Sequence, residues 1–307
     1  MKILEVILLI VMLGILITGL YALWVNLPRA PVELESYSAD NIQIQAPDKS
    51  YQFYPNMRFR DKKISYGIEE ACTQGKRADI IEALQILSQD TILEFYESSD
   101  PEIKYYCSEI APEPEQANHF VAGEGGPTDI INTSVYSVIY KGKVSLYKPE
   151  KCDGPKIAIH ETFHALGFDH NNNKLSIMYP VTDCKQEIDQ YLIDEINSLY
   201  STPSLPDLGI ENLVANKSGR YINFDIVIVN YGLKDTEKAK LILSADGEKV
   251  KEFDLNKIGI GTRKLLSVQN IRGPREFSDL VFEVFDTGNQ EISEENNKVI
   301  VRQTNSS

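Results

Sequence analysis

The chain has 307 residues, 42% hydrophobic and 25% charged. That is a globular composition of about two domains' length, not a disordered one. The formal net charge of −14 excludes the basic surface that nucleic acid requires, so no nucleic-acid partner is expected.

The first element is apolar. From Val6 to Val25, VILLIVMLGILITGLYALWV carries no charge, and a helix of about 20 such residues crosses a bilayer core. Tyr21 and Trp24 sit near its outer end, where aromatic rings prefer the interface. Residues 1–29 are expected to be a transmembrane signal-anchor with the N-terminus inside and residues 30–307 outside the cytoplasm. Cleavage as a signal peptide, giving a secreted protein, is the alternative, although the apolar run exceeds the usual h-region of about 7–15 residues. Residues 30–50, with Pro31 and Pro47 and no clear period, read as a juxtamembrane linker.

A folded region, 51–202, follows. KISYGIEEAC (63–72) opens as a strand. The segment 76–90 is helical, with Ile80, Ile81, Leu84, Leu87 and, less regularly, Ala83 on one stripe. Two β-type runs, 92–98 and 103–110, come next. GEGGPT (123–128) interrupts the pattern, and a β region follows over 129–147 with a turn at YKGK (140–143). Helices are expected at 155–166, opened by Asp153-Gly154-Pro155, and at 184–200, with Ile188, Leu192, Ile196 and Leu199 as its stripe. STPSLPD (201–207), with Pro203 and Pro206, cannot continue a helix and marks a domain boundary. Over 203–307 the period becomes that of strands, in INFDIVIVN, KAKLILSAD, KVKEFDLN, RKLLSVQNI and LVFEVFD. Turn signals every 8–12 residues or so predict an all-β sandwich.

The four cysteines, Cys72, Cys107, Cys152 and Cys184, suit disulfides in an exported domain and allow three pairings. Cys72–Cys107 with Cys152–Cys184 is favoured, because the second pair brackets the histidine segment. Four unpaired thiols are the alternative.

Three of the chain's four histidines fall in HETFHALGFDH, residues 160–170. His160 and His164 are four apart, so both rings leave one face of the helix. Gly167 permits the left-handed conformation that ends helices, letting His170 return toward the same point. Three neutral imidazoles at about 2.0–2.1 Å suit a zinc ion with one position open. Glu161 sits about 100° around the helix from His160. It can take a proton from water activated by the ion and pass it to a leaving amine. His119 lies outside the motif and reads as structural or solvent-exposed.

This segment resembles the zinc signature of the metzincin metallopeptidases, HExxHxxGxxH. SIMYP (176–180) is similar to the methionine turn of the matrixin branch. The resemblance covers about residues 50–200. It implies an α+β domain built on a twisted mixed sheet, with peptide held along an edge strand that is expected within Thr128–Tyr140. It also implies that Met178 lies beneath the imidazoles as a floor. Position 163 is glycine in most of the family and Phe163 here. The matrixin propeptide cysteine and structural zinc ligands are not recognisable, so latency and calcium dependence are not carried over. PDLGIENL (206–213), IVNYG (228–232) and ISEENNKVIV (292–301) resemble the CARDB-type adhesion module, which implies an immunoglobulin-like sandwich acting as a spacer or binding a surface ligand.

The function expected from this is a membrane-anchored, extracytoplasmic zinc endopeptidase acting on peptide or protein substrates. The alternatives are a surface adhesion protein with a vestigial protease fold, and a zinc hydrolase of non-peptide amides.

Overall fold

The computed structural model describes residues 3–26, 32–38, 51–113 and 121–303; His119 lies outside them. The apolar N-terminal run forms one helix, α1 (Ile3–Asn26). Within it, Val6–Trp24 is long and apolar enough to cross a membrane, with none of that stretch buried.

The expected linker over 30–50 is corrected at its first half. Val32–Ser38 is a strand, β1. VELESYS places Leu34 among apolar neighbours, where it is buried. Flanking prolines hid this period from the linear reading.

The next elements are β2 (Met57–Phe59), β3 (Lys63–Ile68), α2 (Gln74–Asp90), β4 (Glu94–Glu97), β5 (Ile103–Cys107), β6 (Gly123–Asn132), β7 (Ser137–Leu146), α3 (Lys156–Ala165) and α4 (Gln190–Ser201). The strands form one mixed sheet in the order β2-β7-β5-β3-β4, with β6 antiparallel on the other side of β7. All other pairs in it are parallel. Helices α2 and α3 pack together, and one core joins Ile80, Leu84, Ile103, Val144, Phe163 and Leu192. Thr73 caps α2 by accepting from the Lys76 amide. On α2 the buried stripe is Ile80, Ala83, Leu84 and Leu87, whereas Ile81 is 38% exposed. The minor member of the expected stripe is inside and a principal one outside. Both favoured disulfides are present, Cys72–Cys107 and Cys152–Cys184.

Three further expectations are revised. GEGGPT does not interrupt the sheet; it is the first half of β6. YKGK is not a turn but the middle of β7, where Gly142 passes beneath the end of α3, and a Cβ on it would lie 3.3 Å from Ala165 O. The chain reverses instead at Thr133–Tyr136, where the Thr133 amide donates to Tyr136 O and Ser134 takes φ 75°. The last helix starts at Gln190, not 184. Glu187 spends its backbone on Leu175 and Ile177 instead, through Glu187 N–Leu175 O at 3.0 Å and Ile177 N–Glu187 O at 2.7 Å.

After STPSLPD come β8 (Leu208–Ser218), β9 (Tyr221–Asn230), β10 (Ala239–Ala245), β11 (Glu248–Asn256), β12 (Arg263–Arg272), β13 (Asp279–Asp286) and β14 (Lys298–Gln303). They are wholly antiparallel, in the order β11-β10-β13-β14-β1-β8-β9-β12. Alternate residues of the two halves, such as Leu241 and Phe282 against Phe224 and Ile226, share one core. Phe224 and Phe282 meet edge to face at 4.9 Å. The all-β sandwich is therefore closed along one side by β1, a strand from before the α+β domain.

Candidate active site

The site is built on α3. Its first amides are not capped by Asp153 as expected, since the cap position is Pro155 with no side-chain bond. Glu150 does this work. One carboxylate oxygen accepts from the Ile157 amide at 3.0 Å, and the other from Lys151 and Cys152 at 2.7 and 3.0 Å. All of Ile157–Ala165 is buried, so α3 is a core helix whose polar side chains must find partners inside the protein.

His160 and His164 find them in carbonyls. His160 Nδ1 donates to Ile177 O at 2.6 Å, and His164 Nδ1 to Phe168 O at 2.7 Å. A carbonyl can only accept, so both protons sit on Nδ1 and both Nε2 lone pairs point inward. Gly167, at φ +99°, turns the chain, and a Cβ there would lie 2.6 Å from Met57 Cγ. His170 then joins the other two. The three Nε2 atoms stand 3.1, 3.1 and 3.2 Å apart. Three nitrogens at about 2.0–2.1 Å from a tetrahedral zinc ion would be about 3.3–3.4 Å apart, so the triad fits such a cation. Burial drives the imidazoles toward the neutral, ligating form: His160 falls to about 3 and His164 to about 4, and His170 is lowered for the same reason.

The segment expected to be a methionine turn follows His170 closely in the chain. Met178 is fully buried, its amide donates to Ser176 Oγ, and its carbonyl accepts from Asn171 N. Ile177, its neighbour, supplies the carbonyl that orients His160.

Glu161 is 6% exposed. Burial, and secondarily the Glu124 carboxylate, raise it to about 8. It lies directly against β6. A Cβ on Gly123 would come within 2.6 Å of Glu161 Cγ, and one on Gly125 within 2.0 Å of Glu161 O. The alternating glycines of GEGG thus let an edge strand rest on the helix backbone, and the linear sequence offered that spacing as its only hint. The sheet edge beside the site is β6, Gly123–Asn132. It shares only Thr128–Asn132 with the expected stretch, because Ser137–Tyr140 lie inside the sheet in β7.

Two further groups went unnoticed in the sequence. Phe53, 39% exposed, stacks on His164 with ring centroids 5.8 Å apart. Its amide is bonded to Gly167 O. A cavity of about 530 Å³ flanks α3, lined by Ala122, Pro149, Ile157, Thr182 and the Cys152–Cys184 bridge.

Residues 58–201 match the family model of matrixin, peptidase family M10. No curated protein matches the chain. Among solved structures, the CARDB domain of a Pyrococcus furiosus protein, in complex with di-metal ions, is similar at 16% identity. The match covers 32% of this chain and 88% of that one, with a TM-score of 0.26. The segment 58–201, which carries the histidine segment on a buried helix beside a mixed sheet, is similar to the matrixin family of metallopeptidases, and its three histidines could hold a metal ion.

Proposed function

We propose that the protein is a zinc-dependent endopeptidase, anchored by α1 and acting outside the cytoplasm. The observation that carries this reading is the triangle of Nε2 atoms with its tautomers set by Ile177 O and Phe168 O. His160, His164 and His170 would hold the ion. Zinc, when bound, supplies a Lewis acid that polarises a peptide carbonyl and acidifies water. Glu161 takes up the proton on its carboxylate and returns it to the departing amine. Burial alone would keep this carboxyl mostly protonated at neutral pH. The positive ion would pull its proton affinity down toward the working range. Met178 serves as an apolar floor that does not ligate.

Peptide pairs along the outer edge of β6, which has no strand partner among the described residues. The cavity beside Ile157 then receives an apolar side chain, with the disulfide as part of its wall. Two disulfides suit an oxidising compartment, and α1 suits attachment to the membrane that bounds it. Secretion after removal of α1 would leave the chemistry unchanged.

The test uses residues 30–307, wild type beside Glu161→Ala, read by zinc content and cleavage of a peptide library. One zinc per chain in both, with cleavage lower by about 10²–10⁴-fold in the variant, is the expected result. A folded protein that takes up no zinc would overturn the assignment of the triad. Zinc in both with no cleavage of any peptide would overturn the peptidase reading and favour binding or non-peptide hydrolysis.

A further inference from the structure

The β6–β7 hairpin has two ends with different neighbours. At one, Gly123 and Gly125 lie on Glu161. At the other, the hairpin tip is sunk into the sandwich. Tyr136 and Val138 from the tip share a buried cluster with Leu233 and Ile260 from the sandwich, and both Val138 and Leu233 are fully buried. Gly261, at φ +67°, meets the tip so closely that a Cβ there would lie 2.8 Å from Asn132 O. The connection between the domains is also tied down. Leu233 N donates to Leu205 O, Tyr231 N to Asp207 O, and Ile292 N to Pro206 O. Arg58, itself buried, donates to the carbonyls of Leu199 and Thr202. A spacer on a loose tether would leave this tip in water and need none of these bonds.

We propose that the sandwich is a positioning module for peptide hydrolysis: by clamping the tip of the β6–β7 hairpin it fixes the edge of β6 relative to Glu161. Leu233, Ile260 and Gly261 are then positioning residues, more than 70 positions along the chain from Glu161. The proposal rests on the peptidase reading for its effect on catalysis but not for the clamp itself. An edge strand has one neighbour to hold its register and is pliable, so a second support matters most to substrates that pair along its length. Short peptides, which use only the residues beside Glu161, gain little from it.

Gly261→Ala tests this, beside Gly247→Ala. Gly247 has φ +85° but open space around it, so it carries the backbone strain without the clamp. In Gly261→Ala, kcat/KM for a peptide of about ten residues should fall about five-fold, mainly through KM, while a peptide of about four residues is cleaved as before. Hydrogen exchange across 123–132 should accelerate in the same variant, and neither change should occur in Gly247→Ala. Zinc content should be unchanged in both. Unaltered exchange in 123–132 would overturn the clamp. Accelerated exchange with equal losses on long and short peptides would overturn its role in holding substrate. If the wild type cleaves neither peptide, the peptidase reading fails, and exchange alone decides whether the clamp exists.

Discussion

Glu161 and the three histidines are held by groups that would be ordinary elsewhere. Gly125 is the tightest of these, because its hydrogen is the only substituent that fits against the Glu161 carbonyl. Gly125→Ala should therefore destabilise the protein by about 2 kcal/mol and remove most activity, since backbone must move to make room. Gly126→Ala, with nothing within 4 Å, should do neither. Urea unfolding of the two variants checks this, and equal stability would show that β6 is not pressed on α3. The histidines carry a pH consequence. Their native proton affinities lie below the ordinary histidine value, so as pH falls below about 6.5 the unfolded chain takes up protons first. Chelator-treated protein should then lose roughly 3 kcal/mol per buried ring between pH 6.5 and 4. The sign is a loss on acidification, and a His160→Asn/His164→Asn variant should show a flatter profile. Identical profiles from thermal melts would mean the rings are not buried in their neutral form.

At the scale of the element, α3 depends on a residue outside it. Glu150 accepts three amides where the chain enters the helix, while Asp153 makes no cap bond. Glu150→Ala should cost about 1–2 kcal/mol and loosen the Cys152 side of the cavity. Asp153→Ala should stay within about 0.5 kcal/mol. Chemical denaturation separates them, and the reverse ranking would return the cap to Asp153. The shortened α4 follows similar logic. Amphipathic spacing continued back to Ile188, but Glu187 N and O were claimed by the segment around the methionine turn, and a backbone group spent there cannot serve a helix.

At the scale of the molecule, the α+β domain is inserted into the sandwich between β1 and β8. Val32 pairs with Lys217 at the end where β8 turns into β9, whereas Leu208 and Leu233 mark the end that carries the hairpin clamp. Only residues 27–31 separate α1 from β1. A bilayer around α1 would therefore meet the first end, with the α+β domain on the other. Sandwich strands of about 10 residues at about 3.3 Å each set a height of roughly 33 Å between the ends. Arg275, near the first end, lies over the Trp24 ring at 4.4 Å. Removing residues 1–38 should take β1 from between β14 and β8. Relative to a chain beginning at residue 30, a loss of about 2 kcal/mol and a Tm lower by about 10 °C are expected. Calorimetry reads this directly, and an unchanged Tm would mean the sandwich closes without β1.

Much of this was legible along the chain because it is local. HETFHALGFDH, its glycine turn and SIMYP lie within 21 residues, where helical period alone brings two rings to one face and a glycine brings the third. The strands of the sandwich and the core stripe of α2 follow the same rule of period, and the disulfide pairing needed only the bracketing of one segment. What the linear pattern missed is contact between distant residues. Gly123 and Gly125 looked like an interruption until Glu161 was placed against them, and Val32–Ser38 looked like a linker until β14 and β8 arrived on either side. The clamp of Leu233 and Gly261 on the hairpin tip has no periodic signature at all. Spacing specifies which atoms a segment presents; only the packed chain decides which atoms meet them, because burial and hydrogen bonding are satisfied over the whole fold at once.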